Sequence, residues 1–360
     1  MRELRDILAA FRSLAPGDVA VLASVVHAAG STYRRIGARM LVLPDDRLVG
    51  LLSGGCLEGD LLLRAGEVRA QGSPRLVHYD ASADDDIVWG LGLGCAGVVD
   101  VLLEPVSRER SGPLAWLAAW RDVRAIGVLA TSLADAELGR RFALHPDGRF
   151  EGDPSEAVRA ALLQARNSGR SRRLASRAGA LCVEVARPPR RLVIFGAGPD
   201  AVPVSCLGVE LGWDVELVDH RPVYARAERF PGARVHFAPT EEAVARVLVD
   251  AETYVLVMTH HYVIDRALLS ALLPSPAPYV GLLGPKRRAE DLLDDLEADG
   301  VQFTPEERAR LHGPAGLDIG GEGPEAIALS LLAQVMAVAE RRSGGSLRDR
   351  KGPIHEPEPA

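Results

Sequence analysis

The sequence predicts an α/β protein in two parts: an N-terminal α/β domain with a degenerate internal repeat, then a C-terminal Rossmann-like parallel-sheet domain. Three observations predict it. The scaffold of residues 21–50 is echoed at residues 128–152. A strand, glycine turn, helix, strand and terminal acid follow one another from residue 191 to 219. Two glycine-framed cysteines, Cys56 and Cys95, both fall in the first part. A chain of 360 residues has two domains as its prior, and the boundaries read here are 1–187, 188–342 and a disordered tail over 343–360.

The first part begins with MRELRDILAAFRSLAPGD, an amphipathic helix with Leu4, Ile7, Leu8 and Phe11 on one face. It has neither the apolar core nor the cleavage pattern of a signal peptide. VAVLASVVHAAG reads as a buried strand, and the loop GSTYRRIGA follows. RMLVLPDDRLVG reads as a hairpin turning at Pro44, Asp45 and Asp46. The stretch SGGCLEGD then joins this hairpin to the helix LLLRAGEVRA, so Cys56 sits where strand hands over to helix. Gly54 and Gly55 let backbone approach a ligand closely. A thiol at a helix N-terminus has its thiolate form favoured, and thiolate attacks electrophiles and binds soft metals. The alternative is a small buried residue in a tight turn.

PRLVHYD is a further strand, and DASADDD an acidic loop that reads as a solvated turn before it reads as a cation site. GLGLGCAG sets Cys95 among glycines that weaken any helix or strand, for which close backbone approach to a ligand compensates. The cysteines lack CxxC spacing, which argues against a structural zinc site. VVDVLLEP is a strand.

The repeat shows in two matches. VLAS at 21–24 is echoed by VLAT at 128–131, and RMLVLPDDRLVG at 39–50 by RFALHPDGRFEG at 141–152. The offset falls from 107 (128 − 21) to 102 (141 − 39). The second copy therefore lacks residues in the GSTYRR region, and it has DPS where the first has SGGC. Shared strands hold a fold while loops carry chemistry, so the asymmetry points to Cys56 and the 30–37 loop. Cys182 lies in the closing strand and reads as core, and Pro188-Pro189 as the domain boundary.

In the second part, RLVIF is a continuous apolar strand of the kind a parallel sheet covers on both faces. Gly196, Gly198 and Ala201 fit G-x-G-x-x-A, with Pro199 in the first helical turn. Asp219 ends the second strand where a ribose-binding acid is expected. Cys206 in the intervening helix reads as core. Strands TYVLVMTHHY and YVGLLGPKRR end in His260, His261 and a basic loop, all expected at the carboxyl edge of the sheet. There His260 reads as an acid–base group, a metal ligand or a satisfied strand-end histidine. GLDIGGEGPEAIALS feeds a long helix with Pro324 in its first turn.

Net charge is −7, from 42 basic and 49 acidic residues, with no basic stripe for a nucleic-acid backbone. No apolar run reaches the ~20 residues that span a bilayer. The four cysteines suggest no disulfide framework, and the chain reads as cytoplasmic, with neither nucleic acid nor membrane as a partner.

GSTYRRIGARMLV, GLLSGGCLEGD, WGLGLGCAG, VIFGAGPDAVPV, VMTHHYVIDRALL, GLLGPKRR and GLDIGGEGPEAIALS, in this order, resemble the xanthine dehydrogenase accessory-protein family, XdhC/CoxI. The resemblance runs from about residue 19 to 340. It implies a non-catalytic maturation factor that binds the molybdenum cofactor (molybdopterin) and protects it while its terminal sulfido ligand is installed. The cofactor then passes to an apo molybdenum hydroxylase of the xanthine dehydrogenase type. A cysteine desulfurase or sulfurtransferase is the implied partner, and a homo-oligomer the implied assembly. Carried onto this sequence, the cofactor site comprises Cys56, Cys95, Gly54, Gly55, Glu58, Ser31, Arg34 and Gly94, with molybdenum contacted by Cys56 and Cys95. A nucleotide or NAD(P) is the expectation for Gly196, Gly198, Ala201, Asp219 and His260. Three other readings stay open: an NAD(P)-dependent oxidoreductase, a scaffold that recruits a sulfurtransferase, and a redox protein that pairs Cys56 with Cys95.

Overall fold

The structure, a computed structural model, describes residues 2–30, 32–80, 97–176 and 179–352. It divides into two compact units that part at Pro188 and Pro189.

The first unit carries the duplication in three dimensions. Helix α1 (Arg2–Arg12) precedes strands β1 (Ala20–Gly30), β2 (Arg39–Val42) and β3 (Leu48–Gly50), helix α2 (Glu58–Gln71), and strands β4 (Arg75–Asp80) and β5 (Gly97–Val106). The second copy repeats this series as α3 (Leu114–Asp122), β6 (Gly127–Ser132), β7 (Arg141–Leu144), β8 (Phe150–Glu151), α4 (Glu156–Ser168), β9 (Arg172–Ser176) and β10 (Gly179–Ala186). Each copy is a five-stranded antiparallel sheet, ordered β3-β2-β1-β5-β4 and β8-β7-β6-β10-β9. The pairing register is also shared: Ser24 lies opposite Arg39, and Thr131 opposite Arg141.

Strand alternation buries one face of each sheet under its own helix. Val21, Ala23, Met40 and Val101 pack with Leu57, Leu61 and Val68 around α2, and Val128, Ala130, Leu144 and Val183 pack with Leu162 and Ala165 of α4. The other faces meet. Val26 and Leu102 from the first copy pack with Leu133 and Cys182 from the second, so Cys182 is core as the sequence reads. Two ion pairs cross this contact in mirrored positions. Arg39 donates to both oxygens of Glu184 at 2.8 and 2.5 Å, and Arg141 pairs with Glu104. Arg39 and Glu104 are each 6% exposed. Burial lowers the affinity of the Arg39 guanidinium for its proton, but the Glu184 charge and hydrogen bonds outweigh it and raise the value above the ordinary one.

The second unit is one parallel sheet, ordered β13-β12-β11-β14-β15-β16. Its strands are β11 (Arg191–Phe195), β12 (Asp214–Asp219), β13 (Arg234–Phe237), β14 (Thr253–Val257), β15 (Tyr279–Leu282) and β16 (Leu311–His312). This is the 3-2-1-4-5-6 order of the doubly wound fold, with its switch point between β11 and β14. All five residues of β11 are buried. Leu192 and Ile194 pack under α5 (Ala201–Glu210) and α10 (Pro324–Ala339), while Val193 and Phe195 pack under α7 (Tyr262–Leu272) and α8 (Lys286–Ala298). Two details differ from the sequence reading. Pro199 lies just ahead of α5, in the turn that precedes its first residue, Ala201. Cys206, read as core, is exposed, because α5 is apolar around its whole circumference and buries only the face that carries Ala201, Val204 and Gly208. Residues 343–352, expected in a disordered tail, contain a short 3-10 turn at Leu347–Asp349, and residues 353–360 lie outside the described residues.

Glu184→Leu and Glu104→Leu each leave a buried arginine uncompensated, which costs about 3–5 kcal/mol. Urea denaturation of the full chain should show losses of that size, with a smaller loss when Arg39→Met accompanies Glu184→Leu. A loss below about 1 kcal/mol for either single change, the range of an exposed pair, would contradict the bridging role.

Candidate functional site

The strand directions gather the loops of the first copy. β1 runs up to Gly30, β2 starts back down at Arg39, and β3 returns upward to Gly50, opposite Met40. Residues 31–38 and 51–57 therefore leave one end of the sheet. Asp80 and Gly97, the ends of β4 and β5 that flank residues 81–96, belong to that end too, since Val98 pairs with both Asp80 and Ala29. The start of α2 is tied there as well: Asp60, in its first turn, accepts from the Tyr79 hydroxyl at 2.6 Å. The corresponding end of the second copy is plainer. Only residues 152–155 join β8 to α4, and only 177–178 join β9 to β10. β6 is also shorter than β1, which continues through a bulge at Val25/His27 to pair with β5.

Within this edge, the 53–58 loop is pinned from inside. Buried Ser53 donates its hydroxyl to Glu58, and its backbone N–H donates to Glu58 Oε1 at 2.9 Å. The same hydroxyl accepts from the N–H groups of Gly55 at 3.2 Å and Leu57 at 3.1 Å. The loop is thereby closed around Cys56, which is exposed. Gly55 has φ +112°, a conformation L side chains rarely adopt, and a Cβ on Gly54 or Gly55 would meet no atom within 4 Å. The thiol thus stands on open main chain. Partial burial pushes the Glu58 carboxyl up, but the Ser53 hydrogen bonds outweigh it and hold it below the ordinary range. Both Glu58 oxygens are engaged with Ser53, so here Glu58 sets the loop's shape. Its charge, with that of Asp60, also offsets the positive field of the α2 N-terminus.

The two arginines of the GSTYRR loop are placed differently. Arg34 pairs with Glu3 of α1, and α1 packs with Leu22 and Leu41 on the sheet face opposite α2. Arg35 has no carboxylate partner among the described residues, and its Nε is buried without a hydrogen bond. The sequence reading misses Arg35. Adjacent arginines look alike in a motif, and only the neighbour contributed by α1 separates them. Ser31, Gly94 and Cys95 lie outside the described residues, as does most of DASADDD. No group of three metal-ligating side chains occurs among the described residues.

The carboxyl edge of the second unit brings Gly196, Gly198, Ala201, Asp219 and His260 together, as the topology requires. Gly196 has φ +109°, and a Cβ there would lie 2.5 Å from the carbonyl oxygen of Met258. Packing of neighbouring strand ends alone therefore demands that glycine. Asp219 accepts from the Ala197 N–H at 2.6 Å, the Arg221 N–H at 2.8 Å, and Arg221 Nε and Nη2 at 2.9 and 2.8 Å. Burial raises its pKa, but the Arg221 bonds outweigh this and hold the carboxyl below its ordinary range. His260 Nε2 meets Asp200 Oδ2 at 2.7 Å. Lys286 and Arg287 open α8 and face Glu290 and Asp291 one turn on, while Arg288 grips buried Asp265 at 2.6 Å.

Iodoacetamide should label Cys56 and Cys206 in the native protein and spare Cys182 until denaturant is added, as read by peptide mass spectrometry. Equal labelling of Cys182 would contradict its burial. The Glu58 bonds also predict a pH dependence. A folded pKa below the unfolded one gives stability that is complete above the unfolded carboxyl range, about 4.3. That contribution is lost as pH falls through the lower folded value. The stability gap between the wild type and Glu58→Gln, measured by denaturation, should therefore shrink below about pH 4. A gap that widens there would contradict it.

The chain also resembles known proteins. Residues 13–80 match the family described as the XdhC and CoxI family, and residues 192–335 the XdhC Rossmann domain. The chain is 32% identical over 325 residues to a Bacillus subtilis protein described as a probable xanthine dehydrogenase subunit, covering 90% of this chain and 94% of that one. It is 26% identical over 334 residues to the molybdenum cofactor insertion chaperone PaoD of Escherichia coli, covering 91% and 86%. The crystal structure of a Bacillus halodurans protein described as a xanthine dehydrogenase superimposes with TM-score 0.79 at 29% identity, covering 96% of this chain and 98% of that one. The chain belongs to the XdhC and CoxI family.

Proposed function

We propose that the protein is a carrier that holds the molybdenum cofactor at the loop edge of its first repeat, supports its sulfuration and delivers it to an apo molybdenum hydroxylase of the xanthine dehydrogenase type. One observation carries the reading: an exposed thiol on open glycine main chain, in a loop that only the first of two matched copies possesses. A duplicated fold that elaborates one copy at one edge has put its function there. The function for which PaoD is named, insertion of the molybdenum cofactor, supports the same direction.

The residues fit such a guest. Cys56 is a soft donor suited to a soft metal site. Gly54 and Gly55 leave room for a ring or phosphate against the backbone. Arg35 is a cation free of carboxylate partners among the described residues, suited to a phosphate oxygen. Arg34 is committed to Glu3. Bound, the cofactor supplies the metal centre that the recipient enzyme uses. The chain's part is to grip, shield and release it, with a sulfurtransferase as the second partner. The rival NAD(P) oxidoreductase reading has less support, since Arg221 already occupies the ribose-type acid, Asp219.

Protein purified from a molybdenum-replete host should carry molybdenum and pterin, measured by elemental mass spectrometry and absorbance. Cys56→Ser and Cys95→Ser should retain less of both, by about tenfold if one metal contact is lost, while Cys206→Ser is unchanged. Unaltered retention in both first-unit variants would overturn the carrier site. Arg35→Ala should lower retention more than Arg34→Ala, and the reverse order would return the anion-binding role to Arg34.

A further inference from the structure

Three titratable or charged residues that the two copies do not share converge on one point of the first unit. The register sets the correspondence. Leu22 and Leu129 match in the repeat and pair with Glu104 and Glu184, so Asp100 answers to Ala180 and its cross-strand partner His78 to Ala175. By the same register Arg173 answers to Leu76. Asp100, 3% exposed, meets His78 Nδ1 at 2.6 Å with one oxygen and accepts from Arg173 Nη1 at 2.5 Å with the other. We propose that His78 and Arg173 bind a terminal phosphate monoester, that Asp100 positions both, and that the site discriminates against phosphate diesters. The identity of the ester rests on the carrier reading: the cofactor is carried with its phosphate unextended by a nucleotide.

A structural bridge does not account for His78. Asp100 lies two residues from Leu102 and His78 two from Leu76, on the sheet face turned to the second copy. Arg173 alone bridges the sheets there, as Arg39 and Arg141 do elsewhere. The His78 side chain is 62% exposed, and nothing among the described residues bonds its Nε2. A carboxylate only accepts, so Nδ1 carries a proton, and the neutral ring keeps its lone pair on Nε2. The ring is thus held to take a proton at one atom, beside a guanidinium whose other N–H groups make no bond among the described residues. The site stands at the loop edge of the first copy, two residues before the end of β4.

A proton acceptor beside a fixed cation selects the ligand. A phosphate monoester gives up its second proton near pH ~6, and imidazoles exchange theirs in the same range, at about 6.5. The proton passes from the P–OH group to Nε2, and the dianion left behind is held by the imidazolium and by Arg173 through charge-assisted hydrogen bonds. Arg173 and Asp100 alone cancel, so the cluster becomes net positive only when His78 is protonated. Proton and dianion therefore bind together. A diester has no second proton to give, and sulfate has none at neutral pH, so each gains only the Arg173 contact. His27 lies cross-strand from Asp100 on β1, so two imidazoles and one guanidinium border the carboxylate.

Diethyl pyrocarbonate, which acylates neutral imidazole nitrogen, reads the site in the full chain by peptide mass spectrometry. Inorganic phosphate and phenyl phosphate should protect His78, half-protecting at concentrations about tenfold or more below those of sulfate and methyl phenyl phosphate. Labelling of His236, held by Glu216 in the second unit, should not change. Arg173→Ala should weaken protection by phosphate about tenfold, and Asp100→Asn should reduce the preference for phosphate over sulfate, which a merely structural role would not move. In protein from a molybdenum-replete host, the bound pterin should carry no nucleotide, and His78→Gln, an exposed change, should retain less of it. Three results would each overturn the proposal: no protection by phosphate up to about 100 mM, equal protection by sulfate or the diester, or nucleotide bound in step with the pterin. Protein devoid of pterin would sink the carrier reading instead, and the phosphate protection, measured without cofactor, would still decide this one.

Discussion

Two buried arginine–glutamate pairs hold the first unit together, Arg39 with Glu184 and Arg141 with Glu104. Each reaches from one sheet to the other, and each guanidinium also donates to the carbonyl of a glycine two residues back, Gly37 or Gly139. Removing a partner from charges this buried is costly, although the Nε of each arginine is itself left without a hydrogen bond. The two sheets are therefore fixed in one mutual arrangement, where apolar packing alone would permit sliding. With the scaffold fixed twice over, the free edge of the first copy can carry long connecting segments.

That division of labour decides what the sequence could disclose. The repeat was legible because the hairpin RMLVLPDDRLVG and its echo RFALHPDGRFEG keep the Pro-Asp of the turn and the closing glycine at matching positions. Gly50 and Gly152 both sit against the carbonyl of the paired arginine, where any Cβ would collide. The parallel sheet was legible from the unbroken apolar run of β11. The elaborated edge was legible as an insertion, and Cys56 as its thiol. The inter-sheet ion pairs were not, since nothing local marks Glu104 or Glu184 as partners of residues far away in the chain.

The departures from the sequence reading have physical causes of the same kind. Cys206 reads as core because α5 is apolar on every side, so its periodicity says nothing about which face is buried. Arg34, which the resemblance gives to the cofactor site, pairs with Glu3 of α1, whereas Arg35 has no carboxylate partner among the described residues. Glu58, which the resemblance gives to the cofactor site, has both of its oxygens on Ser53. The glycine turn at Gly196 shows how one signal serves two causes. A dinucleotide and the Met258 carbonyl would each forbid a side chain there, and the carbonyl alone suffices.

Location of the cargo is the central claim, and hydrogen–deuterium exchange of the full chain, cofactor-loaded against cofactor-free, tests it most directly. Exchange should slow in peptides spanning residues 31–38, 51–57 and 81–96, with the matching edge of the second repeat unchanged. Slowing confined to residues 196–221, with those three segments unaffected, would contradict the account.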